Sequence, residues 1–331
     1  MGTEYVFATA RIRSQEKNLL KSDQFRAMTE SPNIEDVCRT LQDAGYGSDS
    51  VNFGVDNYEL ILKSKERELF EEIRTLSEEN EVFDIFSYPN DYHNIKTLLK
   101  SEFLGVDRSD ILLGTGTIAP DKMTEYVRER NKSMLTEYMG RAIDESVDNH
   151  ARTKDPQSVD FICDKYCFMD VTRVADASGN DYVKGYVKLW IDTVNLKTFM
   201  RLRKMQQPWG AFNDVYIPGG NVDLQSFVAG YDEDPAQLGA RFASYDIGKA
   251  AGEGAEAIAK DGTFTLLEKL CDDALIEYAK DSKYITFGLE SMVGYLVAKQ
   301  MEIKCVRILM TGKLAGMEPE VIRERMRETY A

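Results

Sequence analysis

The chain has 331 residues, of which 43% are hydrophobic and 29% charged, so it can bury a core and is long enough for two or three subdomains. Its 41 lysines and arginines against 56 aspartates and glutamates give a net charge of −15. This charge argues against nucleic acid as a partner and against broad contact with an anionic membrane, because both need a basic surface. A basic patch on a protein partner would be attracted instead.

The chain shows no sign of membrane insertion or of a metal centre. Its N-terminal sequence lacks an apolar signal core, and no run of about 20 apolar residues occurs. We therefore expect a protein made in the cytosol that does not enter the membrane. Five scattered cysteines predict free, reduced thiols, and two histidines leave a zinc site few ligands. We expect no metal and no cofactor.

Apolar residues at helical spacing predict an almost all-α chain, since strict alternation is nearly absent. In the first third we predict two helices within 4–30 and further helices over 33–44, 58–80 and, after Pro89, 91–102. A connector over 112–120 follows, then helices within 121–149, from residue 155, and over 182–205. A second connector over 216–222 leads into the last third. There we predict helices over 224–229, 235–243, 248–260, 263–280, 287–313 and 319–330.

Three helical segments resemble one another without gaps. They begin at Asp91, Asp192 and Lys299, and the strongest match is between DYHNIKTLL and DTVNLKTFM. The connectors repeat as well, because Gly116 and Gly220 are 104 residues apart and Asp91 and Asp192 are 101 apart. This period exceeds that of the usual solenoids. We interpret it as three related helical subdomains, over 1–112, 113–216 and 217–331, which could close with pseudo-threefold symmetry.

Familiar catalytic patterns do not fit this sequence. The glycine pair in LGTGTIAP lacks the lysine of a phosphate-binding loop and a preceding strand, so a linker is the better interpretation. His93 and His150 are the only imidazoles, and neither lies in a nucleophile motif. Carboxylates are abundant, but no spacing singles out an acid–base pair. We therefore predict no catalytic residue, with a diffuse carboxylate site as the enzymatic alternative.

Positive charges inside the repeated apolar helices are the best candidates for function. A lysine recurs at the same place in all three segments, and two arginines lie nearby: Lys96, Lys197, Arg201, Lys304 and Arg307. Charge beside a core is costly unless it is paired or reaches solvent. These cations either form structural ion pairs or line a surface that contacts a partner. For the first interpretation, the expected carboxylates are those a few residues upstream, Asp91, Asp192 and Glu302.

The stretch 287–314, FGLESMVGYLVAKQMEIKCVRILMTGKL, resembles the C-terminal signature of the C subunit of V/A-type ATPases, the counterpart of the eukaryotic d subunit. The matching residues are the Phe287-Gly288 start, Glu290, Tyr295, Ala298-Lys299, Glu302-Ile303-Lys304, Arg307 and the Gly312-Lys313-Leu314 end. Three residues depart from the family pattern: Ser291 stands in place of Pro, Gln300 in place of an acidic residue, and Cys305 in place of Asn. Further agreement comes from DTVNLKT at 192–198, DPQ at 155–157 and IPGG at 217–220. The resemblance covers essentially the whole chain.

The resemblance implies an all-α funnel of three subdomains that has no catalytic residue and acts as a socket. Such a socket receives the central shaft, made of the D and F subunits, and sits on cytoplasmic loops of the membrane rotor ring. It is present once per complex, is monomeric when isolated, and is peripheral on the cytoplasmic side. It couples ATP turnover to proton or sodium-ion transport. A soluble helical adaptor without a membrane complex is the alternative.

Overall fold

The computed structural model describes residues 4–47, 51–77 and 79–331, and every regular element in these ranges is a helix. The predicted all-α class is therefore confirmed. Three short 3-10 helices (Asn80–Phe83, Ser109–Ile111 and Asp281–Tyr284) lie between the α-helices. The first α-helices are α1 (Glu4–Glu16), α2 (Ser22–Glu30), α3 (Ile34–Asp43) and α4 (Tyr58–Leu76).

The middle of the chain contains two of the longest helices, α5 and α9. The helices of this part are α5 (Asp84–Leu104), α6 (Pro120–Glu129), α7 (Glu137–Thr153), α8 (Ser158–Ala177), α9 (Asp181–Lys204), α10 (Trp209–Val215) and α11 (Leu224–Ala229). The remaining helices are α12 (Pro235–Phe242), α13 (Gly248–Asp261), α14 (Thr265–Lys280), α15 (Leu289–Leu314) and α16 (Pro319–Arg325).

The chain divides into two compact units. We call Glu79–Tyr231 the middle unit, and Met1–Glu78 together with Asp232–Ala331 the terminal unit. The three-part division at 112 and 216 remains a prediction beside this observed division.

In the terminal unit, the core forms around α15, which packs against α1, α4 and α14. This helix is buried on most of its surface, because neighbours cover it on several sides. Apolar residues of α2, α3 and α4 meet its C-terminal half in one cluster that includes Phe25, Met28, Leu41, Leu62, Val306 and Leu309.

In the middle unit, α8 packs against both α5 and α7, and α9 runs beside α8. The C-terminal half of α9 meets α10 and α11 in an aromatic cluster. The ring of Phe199 lies 5.4 Å, between ring centroids, from each of Phe212, Phe227 and Tyr231. Such aromatic contacts fix the end of α9 against the segment that follows it.

Several predicted helix boundaries are wrong, and two of them have clear causes. Helix α5 begins at Asp84, seven residues before the predicted start, and contains Pro89. The missing N–H of proline removes one helical hydrogen bond, and burial of Ile85, Phe86 and Tyr88 in the same stretch offsets that loss. The last helix ends at Arg325 and not at residue 330. The segment after it makes tertiary contacts instead, as when the Glu328 N–H donates to Asp273 at 2.7 Å.

All five cysteines are buried and free, which confirms the prediction of free thiols. In the ranges described, none of the helices is both long enough and apolar enough to cross a membrane. The short helix α10, from Trp209 to Val215, lies outside the helices predicted from the sequence.

Candidate partner-binding site

The first connector is fixed to α5 by a buried carboxylate and a buried amide. Asp91 Oδ2 accepts hydrogen bonds from the N–H and the hydroxyl of Thr117 at 2.9 and 2.7 Å, and Oδ1 accepts from the Ile118 N–H at 3.1 Å. Asn94 exchanges two hydrogen bonds of 2.8 Å with the backbone of Leu113. Burial raises the pKa of Asp91 to about 6, although these donors favour the charged form.

The second connector is fixed to α9 in the same way. Asp192 accepts from the N–H groups of Asn221 and Val222, each at 3.0 Å. Asn195 exchanges hydrogen bonds of 2.7 and 2.9 Å with the backbone of Ile217. Two of the three repeated segments therefore make matching contacts. In each, the Asp and the Asn lie about one turn apart on the same side of the helix.

Both connectors need glycine where they pass the carboxylate. A Cβ added at Gly116 would lie 2.2 Å from Asp91 Oδ1, and one at Gly220 would lie 2.1 Å from Asp192 Oδ1. Neither contact is possible for a real methyl group. The matching glycines in the sequence thus reflect matching close approaches between connector and helix.

The third segment has a different set of contacts. Glu302, which aligns with Asn94 and Asn195, accepts from the Leu20 N–H at 2.5 Å and from the Tyr46 hydroxyl at 2.7 Å. Lys299, at the position of the aspartates, forms an ion pair with Glu302 itself. In this third segment, the backbone held by the repeated helix is that of Leu20, near the N-terminus.

At least three of the five candidate cations are engaged in ion pairs within their own unit. Lys96 pairs with Asp164 of α8 at 2.8 Å, and Lys304 pairs with Asp272 of α14 at 2.5 Å. Arg307 makes a bidentate pair with a residue of α4, Glu59. Burial opposes the charge of Lys96, but Asp164 outweighs it, so the pKa of Lys96 is raised.

These pairs correct the partners expected from the sequence. The nearby carboxylates Asp91 and Glu302 are occupied by the connector and by the N-terminal segment, so the cations reach carboxylates on neighbouring helices. Because Lys96 and Asp164 are 68 residues apart, helix packing selected the partner.

Lys197 and Arg201 lie on α9, in its second half. Lys197 is half-buried and makes no ion pair or hydrogen bond with any residue of the described ranges. Arg201 is exposed one turn further along. Within the middle unit, Lys197 and Arg201 therefore lie on α9, whereas Lys96 lies on α5.

The cationic region of α9 extends further than the sequence pattern predicts. Lys204, the last residue of α9, is exposed. Beyond the helix, Met205 and Trp209, the first residue of α10, are also exposed, with 61% and 53% of their surfaces accessible. The sequence contained a signal for this cationic region, because no aspartate or glutamate occurs between Asp192 and Asp214. In a chain with a net charge of −15, a stretch of that length without an acidic residue is notable.

Each unit also carries a surface groove lined by charged residues. In the middle unit, a groove of about 400 Å³ runs along α5 and is lined by His93, Lys96, Lys100, Leu104 and Arg108. In the terminal unit, a groove of about 580 Å³ is lined mainly by carboxylates, Asp246, Asp273, Glu277, Asp281 and Glu328. No group of three or more His, Cys, Asp or Glu side chains in the described part of the chain could hold a metal ion.

These features describe a class of all-helical protein in which buried polar side chains anchor the long helices and charged grooves lie on the surface. The chain belongs to the ATP synthase (C/AC39) subunit family, whose sequence profile matches residues 8–325. Members of this family are accessory subunits of V/A-type ATPases, and the protein is a subunit of that kind.

Individual relatives agree over nearly the whole chain. The C subunit of the V-type sodium ATPase of Enterococcus hirae is 24% identical over 333 aligned positions, which cover 99% of both chains. The C subunit of the A-type ATP synthase of Methanocaldococcus jannaschii is 23% identical over 342 positions, covering 96% of this chain and 85% of the relative. The C subunit of the V-type ATP synthase of Thermus thermophilus is 21% identical over 333 positions, covering 98% and 99%.

Proposed function

We propose that this chain is the non-catalytic central-stalk component that joins the shaft, formed by the D and F subunits, to the membrane rotor ring. In this role it transmits torque between ATP turnover and the transport of protons or sodium ions. The family match over residues 8–325 carries the proposal. We further propose a single copy per complex, held at the cytoplasmic face through protein contacts. Its three related subdomains, 1–112, 113–216 and 217–331, would form a funnel-shaped socket.

The anchored helices support a mechanical role. A part that transmits torque must resist deformation, and close-packed interiors do so. Helices α5 and α9 are each tied to a connector by four or more hydrogen bonds to buried Asp and Asn side chains. Such bonds limit sliding of helix against connector, because slippage would leave buried polar groups unpaired.

Charged surfaces support reversible assembly on basic partners. The acidic groove of the terminal unit concentrates five carboxylates, and burial raises the pKa of one of them, Asp273. Contacts between opposite charges at a solvated interface weaken as salt screens them. Candidate partner contacts within the proposed socket remain Lys96, Lys197, Arg201, Lys304 and Arg307.

Removal of the gene tests the proposal. We expect ATP-driven ion pumping by membrane vesicles to be lost, while ATP hydrolysis by the detached catalytic sector continues. Pumping that is unaffected by the deletion would refute the coupling role and favour an adaptor outside the complex. Restoration by the wild-type gene on a plasmid is the control.

Salt dependence tests the electrostatic part separately. We expect the purified chain to leave the isolated D–F shaft as salt is raised through about 0.1 M, where the screening length falls to about 10 Å. Binding that does not change with salt would contradict an electrostatic contact while leaving the coupling role intact.

A further inference from the structure

The second half of α9 carries a cationic face, and two exposed apolar side chains follow it in the chain. Lys197, Arg201 and Lys204 follow one another at helical spacings of four and three, so they share one side of the helix. Met205, which caps α9, and Trp209, the first residue of α10, are exposed as well. We call these five residues the α9 basic face.

Lys197 differs from the lysines at the same position of the other two repeated segments. Its counterparts in the other two repeated segments, Lys96 and Lys304, each form an ion pair with a carboxylate of a neighbouring helix. Lys197 is half-buried like them and has no carboxylate partner among the described residues. Lys204 has no ion pair there either. The lysine recurs in all three segments, but in the second segment no residue in the described part of the chain supplies a carboxylate to it.

A purely structural explanation covers only part of this face. Cations in the last turn of a helix interact favourably with its dipole, which accounts for Arg201 and Lys204. That effect falls off within one turn, so it does not account for Lys197. Nor does it explain why Met205 and Trp209 are exposed. Tryptophan and arginine are enriched among the residues that carry most of the binding energy of interfaces.

We propose that the α9 basic face docks an acidic segment of a protein partner in the rotor, with an apolar side chain of that segment packed on Trp209. The occupant follows from charge complementarity, because no acidic residue lies between Asp192 and Asp214. One carboxylate of the partner pairs with Lys197 as Asp164 pairs with Lys96. The inference deepens the proposed function and rests on it.

A charge-reversal variant tests the inference directly. The triple variant Lys197→Glu, Arg201→Glu, Lys204→Glu is titrated with the purified D–F shaft and with the detergent-purified rotor ring. We expect about tenfold or greater loss of affinity for one of them at low salt, and a smaller loss at high salt. Trp209→Ala is expected to weaken the same partner by about tenfold without changing the salt dependence.

The matched control reverses three exposed cations elsewhere in the same unit, Arg128, Arg152 and Lys188. It changes the net charge equally, so a general charge effect would weaken both variants alike. We expect less than about a twofold change in the control. Equal melting temperatures of both variants and the wild type establish that the fold is intact.

A crosslinking experiment gives a second, independent readout. All five native cysteines are buried, so Lys197→Cys introduces a single accessible thiol. A thiol-to-carboxylate crosslinker on the assembled complex should join this position to an acidic residue of a rotor protein. The same experiment with Lys188→Cys, on the same helix, is expected to give no such product.

The remaining outcomes separate the inference from the proposed function. If the wild type binds the shaft or the ring and the reversal variant binds equally well, the inference fails and the coupling role stands. If the wild type binds neither, the coupling role fails and the inference with it. Wild-type binding to phosphatidylglycerol vesicles through this face would assign it to lipid. Self-association that the reversal abolishes would assign it to a second copy, and both results overturn the inference.

Discussion

Asp91 and Asp192 show how one buried carboxylate sets the path of a connector. Each accepts two consecutive backbone N–H groups of a segment that follows it by 26 to 30 residues. The backbone must approach closely for this, which leaves no room for a Cβ at Gly116 or Gly220. The aspartate side chain, the glycine and the path of the connector therefore depend on one another.

The glycines give a prediction at this scale. Gly116→Ala and Gly220→Ala should each lower the free energy of unfolding by about 1–3 kcal/mol, because the added methyl displaces a hydrogen-bonded carboxylate. Gly114→Ala is the matched control, since a Cβ there meets nothing within 4 Å. Urea denaturation followed by circular dichroism measures all three. Equal effects at positions 114 and 116 would contradict the close contact.

Asp91 should also make stability depend on pH. Its pKa is about 6 in the folded chain, above the ordinary value of 3.8, because the carboxyl is buried. The folded state therefore holds this proton more tightly than the unfolded state does. The stabilisation it contributes is fully present below about pH 4 and is lost as pH rises through about 6.

Thr117→Val sharpens this prediction. The Thr117 hydroxyl donates to Asp91 and favours the charged carboxylate, so its removal should raise the pKa of Asp91 further. Carbon-13 NMR of the aspartate carboxyl groups measures the shift. Thr124→Val is the control, because that hydroxyl donates to the Pro120 carbonyl in its own helix. An unchanged or lowered pKa in Thr117→Val would be inconsistent with the hydrogen bond.

At the scale of elements, α15 owes its position to polar contacts as well as to apolar burial. Glu302 is 6% exposed and receives hydrogen bonds from the Leu20 N–H and the Tyr46 hydroxyl, together with the Lys299 ammonium. Burial, with the Glu302 carboxylate nearby, raises the pKa of Tyr46. This carboxylate links the last long helix to the start of the chain.

A double-mutant cycle on Glu302 and Tyr46 measures that link. Glu302→Ala should cost about 3–5 kcal/mol, because it leaves a partly buried ammonium and two buried donors without an acceptor. Tyr46→Phe should cost less, and the coupling energy should be about 1.5–3 kcal/mol, as for a hydrogen bond to a charged group. Thermal or urea unfolding supplies the four values. Additive effects would show that the two side chains do not interact.

At the scale of the whole molecule, the middle unit is one continuous stretch, whereas the terminal unit is made from both ends of the chain. The middle unit contains its own aromatic cluster and both tryptophans of the protein, Trp190 and Trp209. Continuity and a separate core are what independent folding requires.

We therefore expect the fragment 79–231 to fold alone and to unfold cooperatively in urea. The tryptophan fluorescence transition of the whole chain should match that of the fragment, because no tryptophan lies outside it. The fragment 113–216, the second predicted subdomain, lacks α5, against which α8 packs, and should not unfold cooperatively. Cooperative unfolding of 113–216 would favour the three-part division instead.

Much of the fold could be predicted because it depends on local pattern. Apolar spacing indicated nearly all of the helices, and the repeat pointed to the two anchored connectors. The start of α5 could not be predicted, because Pro89 suggested a break that buried Ile85 and Phe86 overcome. The end of α16 was missed because Tyr330 leaves the helical path to be buried, 4% exposed, with its hydroxyl 2.9 Å from Glu16.

The sequence by itself determined the all-α class, the repeated helix with its glycine connector, the free thiols and the family. Each of these depends on residue type and spacing along the chain. Only the tertiary structure decided which cations are already paired. Arg307 and Glu59 are 248 residues apart, so packing brought them together, and no spacing rule could have done so. The same packing left Lys197 without a counter-charge, because no described helix of its unit presents a carboxylate to it.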